Sequence, residues 1–126
     1  MRFLCMLLAC CLMLTACGGA KTTSGSRNGH AAHQPKMDVK LDVEGNQVTV
    51  NVITDMTISP EHYGMARHDM EGHIHMYLDN GDKIAVKEAH KTFPDLPPGK
   101  HTIKVSLHNN DHTPYDVTKT FDFEIK

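Results

Sequence analysis

The chain has 126 residues, 13 basic against 15 acidic, a formal charge of −2 and no tryptophan. That near-neutral balance lacks the basic stripe of a nucleic-acid binder, and neither a Walker loop nor a GxGxxG phosphate cradle is present. The four cysteines, Cys5, Cys10, Cys11 and Cys17, all fall at the N-terminal end.

Met1-Arg2 precede an apolar run from Phe3 to Leu14, followed by Thr15 and Ala16. A basic start, a short apolar stretch and small residues are the parts of a secretory signal, here residues 1–16. As a helix the run would be about 18 Å long, well short of a hydrocarbon core of roughly 30 Å. Leu14-Thr15-Ala16-Cys17 resembles the bacterial lipobox. The resemblance implies cleavage before Cys17 and acylation of its thiol, two acyl chains then holding the protein in membrane lipid. The expected location is the cell envelope, on the outer side of the cytoplasmic membrane or at the outer membrane. Three cysteines would leave with the signal and the fourth would become a thioether. The mature chain then has no thiol for a disulfide, a nucleophile or a thiolate metal site. Residues 17–36 contain no large apolar side chain and read as a flexible tether, with a root-mean-square reach of about 24 Å.

Residues 37–126 form one domain, long enough for a single core. Period-two alternation predicts strands at 37–43, 47–54, 72–79, 83–88, 90–93, 101–108 and 117–125. Glu44-Gly45-Asn46-Gln47 and Asp79-Asn80-Gly81-Asp82 supply turns, and Pro94-Asp95-Leu96-Pro97-Pro98-Gly99 forces a corner. About seven short strands without a helix predict an all-β, immunoglobulin-like (cupredoxin-like) antiparallel β-sandwich. The stretch from Phe93 to Val105 is similar to the E–F corner of bacterial immunoglobulin-like and fibronectin-like domains, which bears on fold and not on function.

The unusual feature is ten histidines and eight methionines. In such a sandwich the third and sixth strands are antiparallel neighbours, which brings His73 and His75 towards His108 and His112. The segment 60–71 arrives at the same end with His62, Met65, His68 and Met70. Residues two apart on a strand point the same way, about 6.7 Å apart. His73 and His75 are therefore able to converge on one metal at about 2.0–2.1 Å. Ile74, Met76 and Leu78 take the core face, so the two histidines are expected to look outward, open to solvent. The candidate metal ligands are His73, His75, His108, His112, His68 and Met70. Imidazole suits copper and zinc, and thioether tilts the choice to copper, with zinc as the alternative. A blue-copper site is excluded for want of a cysteine.

Gly-His-x-His-x-Tyr-Leu-Asp, Leu-Pro-Pro-Gly-x-His-Thr and Asn-Asp-His-Thr-Pro, within residues 72–115, resemble small histidine-rich envelope domains of bacteria, immunoglobulin- or cupredoxin-like in fold. The matching positions are His73, His75 and His112, and the resemblance implies copper handling or envelope homeostasis. The expected protein is a non-enzymatic metal-binding lipoprotein. The alternative is an interaction module that binds an envelope protein or polymer without metal. Copper/zinc superoxide dismutases also carry a His-x-His on a sandwich strand, but their disulfide and long zinc loop have no counterpart here. Ser59 and Ser106 lack the setting of a nucleophile.

Overall fold

Val39 and Leu41, alternating with polar residues, pair with Val48, Val50 and Val52 to give the first hairpin. In the computed structural model, which describes residues 33–126, β1 (Met37–Glu44) and β2 (Gln47–Thr54) are antiparallel. Their register runs unbroken from Met37↔Thr54 to Glu44↔Gln47. Gly45 takes φ 57° in the two-residue connection, the left-handed backbone that tight hairpins demand. The signal segment, Cys17 and the tether up to residue 32 lie outside the described residues.

The second sheet is built around β4 (Glu71–Leu78). One edge of β4 carries β3 (Thr57–Ile58), parallel, and β5 (Ile84–Val86), antiparallel. Next in the chain, β6 (His90–Phe93) crosses to the first sheet and pairs with β2. The other edge of β4 takes β7 (Gly99–Asn109), and β8 (Pro114–Ile125) pairs with β7. The result is a three-stranded sheet, β1-β2-β6, packed on a five-stranded one. Among the described residues there is no α-helix, only a 3-10 turn at Pro60–His62, and no helix long and apolar enough to cross a membrane. Fifteen apolar side chains are buried between the sheets, with Val48, Val50, Ile74, Met76, Ile103, Val105 and Leu107 wholly inaccessible. With no disulfide among residues 33–126, this core has to hold the fold, each large apolar side chain contributing about 1.5–3 kcal/mol when fully buried.

Three elements differ from the sequence reading. β3 is an additional strand, too short for alternation to reveal. The strand expected at 83–88 forms ladder pairs over Ile84–Val86 alone. β8 begins at Pro114 rather than residue 117; it is the last strand of its sheet, where a residue without an N–H is tolerated.

His101 lies on the core-facing side of β7 with Ile103, and is buried at 7% exposure. Its Nδ1 is 2.7 Å from Asp79 Oδ2 and its Nε2 is 2.7 Å from the Pro97 carbonyl. Both partners are acceptors, so both ring nitrogens must donate. The Asp79 carboxylate accordingly raises the His101 pKa above its ordinary value, with help from the Pro97 carbonyl. His101 thus acts as a structural cation that ties the proline corner to the β4–β5 turn.

Candidate metal centre

Side chains opposite the core face of β4 and β7 are set by strand register. His73 pairs with His108 and His75 with Ser106, so one patch of the sheet's outer face carries three imidazoles and a hydroxyl. Gly72 sets how closely the strands approach here. A Cβ at this position would lie 1.9 Å from the His108 carbonyl oxygen and 3.2 Å from Asn109 Cα. Backbone cannot swing aside as a flexible side chain can. Gly72→Ala is therefore expected to cost about 1–3 kcal/mol or more by overpacking, read as a lower denaturant midpoint, and to separate His73 from His108.

The fourth imidazole comes from the turn between β7 and β8. His112 has φ 70°, and its N–H donates to the Asn109 carbonyl at 3.0 Å. This left-handed kink sends the ring back over β4. His112 Nδ1 reaches 3.2 Å from His73 Nε2, which is itself 2.9 Å from His75 Nε2. One nitrogen from each of His73, His75 and His112 lies within 4.8 Å of the others.

Sequence parity places His73 and His75 on the correct face but misjudges their exposure. They are 1% and 2% exposed, not open to solvent. The cause is the segment from Pro60 to Met70, which folds back across the sheet. Tyr63 presents its ring to His73 and His112, each centroid 4.7 Å away, and Lys87 Nζ sits 3.9 Å from the centre of the tyrosine ring. The Gly64 N–H, donating to the Asn110 carbonyl at 2.7 Å, ties this roof to the β7–β8 turn. His112 alone of the three is exposed.

His108 belongs to the surroundings of the three converging nitrogens. Its Nδ1–H donates to the His112 carbonyl at 3.0 Å, which leaves Nε2 to accept from the Ser106 hydroxyl at 2.9 Å. The ring stacks on His75 with centroids 3.7 Å apart. It positions His75 and the His112 turn, and its free electron pair is already engaged. His68 is not brought to the group: it is exposed, and its Nδ1 lies 3.7 Å from Glu71 Oε2. Met70 is half-buried at φ 55°, its carbonyl accepting from the Thr57 N–H, and it takes no part in the hydrogen bonds and ring contacts that join the four histidines. The thioether argument for copper therefore loses its geometric support.

Electrostatics keeps the buried pair neutral. Burial, reinforced by the neighbouring imidazoles and by Lys83, pushes His73 down to about 4 and His75 to about 3, with Lys87 adding to the shift of His73. Burial also lowers His108. Neutral imidazole is the form that binds metal.

The donor geometry can be tested against an ion. Two nitrogens at 2.0–2.1 Å from a tetrahedral centre stand about 3.3 Å apart, close to the 2.9 Å of the His73–His75 pair and the 3.2 Å of the His73–His112 pair, with the third pair within 4.8 Å. As a hydrogen-bond arrangement the group is poor, since His73 Nε2, with either one proton or one lone pair to offer, would have to serve two partners. The Nδ1 atoms of His73 and His75 are buried without a protein partner, and an unsatisfied buried group of this kind calls for a functional reason.

Sequence reasoning missed Tyr63, Lys87 and Ser106. Ser106 was recoverable, because pairing His73 with His108 forces Ser106 opposite His75. Tyr63 and Lys87 arrive through loop folding, for which the sequence carries no periodic signal.

Two packed sheets in this order, with a covered histidine group on the outer face of the larger one, define an immunoglobulin-like β-sandwich with a polar side site. Among solved structures, the chain is similar to the PKD1 domain of Vibrio anguillarum Epp, with a TM-score of 0.51 and 14% identity over 75% of this chain and 96% of that one. It is also similar to the PKD1 domain from the Vibrio cholerae metalloprotease PrtV, with a TM-score of 0.50 and 16% identity over 74% and 98%. At these identities the likeness concerns the fold. No protein-family model and no curated protein sequence matches the chain.

Proposed function

We propose that this protein is a lipid-anchored envelope protein that binds one transition-metal ion, copper in preference to zinc, through His73, His75 and His112, as a binder and not as an enzyme. The observation that carries the reading is the convergence of three imidazole nitrogens, two of them buried and held neutral. The lipobox-like Leu14-Thr15-Ala16-Cys17 supports the anchor.

Copper is favoured on charge. The converging group contains no carboxylate, and Lys83 and Lys87 are close enough to depress its imidazole pKa values. Burying a charge without a counter-charge is costly, and the solvation cost grows with the square of the charge. Among the metals that imidazole binds well, copper offers a monovalent form and zinc does not. Cu(I) in a three-nitrogen site meets both constraints.

The test is metal analysis of the full chain purified from the envelope fraction, followed by copper titration. One copper per chain is expected, and His73→Ala/His75→Ala should remove it. A chain recovered without metal that binds neither Cu(I) nor Zn(II) below micromolar concentration overturns the reading. The fold likeness favours a second reading: both similar structures are PKD1 domains, one of them from a larger metalloprotease, which suits an interaction module for an envelope protein or polymer. Partner capture that survives a chelator would support that module.

A further inference from the structure

Tyr63 and Lys87 lie over the buried histidines without supplying a donor to the converging group. Tyr63 follows the 3-10 turn, and its ring meets those of His73 and His112 at interplanar angles of 61° and 79°. Lys87, the residue after β5, places Nζ 3.9 Å from the centre of the tyrosine ring. An ammonium over an aromatic face is held there by the ring quadrupole. A long, exposed side chain is thereby seated one ring away from two of the three converging imidazoles.

The sheet carries an internal comparison. Lys104 Nζ is 4.1 Å from the centre of the Tyr77 ring, the same contact between cross-strand partners of β4 and β7. Lys87 and Lys83 are among the charges that act on His73, and Lys104 is not. What Lys87 can do there follows from charge. A fixed positive group repels a divalent ion twice as strongly as a monovalent one. The converging group has no carboxylate to offset it. Going from a monovalent to a divalent ion therefore adds one unit-charge repulsion, about fivefold in affinity at an effective dielectric between those of bulk water and a surface pair.

We propose that Lys87, seated on the Tyr63 ring, is the selectivity residue of the histidine site, admitting Cu(I) and penalising Zn(II) and Cu(II) by charge. This assignment rests on the reading of His73, His75 and His112 as a metal site. Neither residue is a ligand: Lys87 acts through its charge, and Tyr63 acts by holding that charge in place.

Cu(I) and Zn(II) are the probes, each titrated against the full chain at low and at high salt. Lys87→Gln should narrow the ratio of Cu(I) to Zn(II) affinity about fivefold, by strengthening zinc more than copper. Lys87→Arg should keep the parent ratio. Tyr63→Phe retains the ring and should keep it too, whereas Tyr63→Ala removes the seat and should narrow it. Salt screens exposed charge, so the parent ratio should fall towards that of Lys87→Gln as salt rises. Lys104→Gln removes an equivalent charge from Tyr77 and should leave the ratio in place. Lys87 is exposed, so its glutamine variant should keep the parent unfolding curve. A ratio unmoved by Lys87→Gln, or narrowed as much by Lys104→Gln, overturns the proposal. A parent chain that binds neither ion overturns the metal site itself and this assignment with it, so the two failures are told apart.

Discussion

Replacing His73 and His75 together by leucine is expected to abolish copper binding while leaving the metal-free chain at least as stable as the parent. Two of three nitrogens would be lost. Because even a partner behind a metal ligand is worth 10–100-fold in affinity, the loss should exceed roughly a hundredfold. Stability should move the other way. Each of these rings carries a buried Nδ1 without a protein partner, and such a group costs about 1–3 kcal/mol. Leucine removes that cost and adds apolar contact with Tyr63 above. Urea unfolding and copper titration of the same variant give the answer. A variant that unfolds earlier, or that keeps its copper, would show these imidazoles to be structural.

The second large effect is acid sensitivity. In the unfolded chain His73 and His75 take up protons near pH 6.5, but in the fold they do so only at about 4 and about 3. Between pH 6.5 and about 4 the unfolded state therefore binds more protons, and stability falls as pH falls. For His73 alone the shift corresponds to roughly 3 kcal/mol. Other groups act differently. His101 and His62 have raised values, so their contribution is complete below pH 6.5 and fades as pH rises through those values. Glu71 is lowered to about 2, and its contribution is lost only as pH falls below the ordinary carboxylate range. The denaturant midpoint of the metal-free chain is expected to drop steadily from pH 6.5 to 4, and His73→Leu/His75→Leu should flatten that drop. A midpoint constant across the window, in parent and variant alike, would contradict the assignment of neutral buried imidazoles.

These expectations depend on features that were unequally legible in the sequence. Alternation gave β1, β2, β4 and β7 to within a few residues, because one face of each is apolar and the other polar. Sandwich topology then brought His73 and His75 towards His108, since neighbouring antiparallel strands keep Ile74, Met76, Val105 and Leu107 on one side; the register that pairs His73 with His108 came from the structure. Burial was not legible. It depends on Tyr63, which lies ten residues before His73 and reaches it through a roof tied at Gly64 and Asn110. The fate of His68 was hidden for a related reason: Glu71 captures it locally, and proximity in the chain gives no sign of which way a loop ring will turn. Met70 lies next to the strand, but its left-handed backbone breaks the alternation that would have placed its side chain.

The unequal exposure of the three converging histidines has a consequence for exchange. His73 and His75 are borne on a paired strand and are buried at 1% and 2% exposure beneath the segment that carries Tyr63, so neither ring is open to an incoming molecule. His112 is carried by a turn and faces water. It is the one donor of the three that an incoming molecule could displace while the sheet stays closed. Handover to another carrier would then begin by substitution at His112, with the strand pair holding its cargo until the newcomer's grip is made.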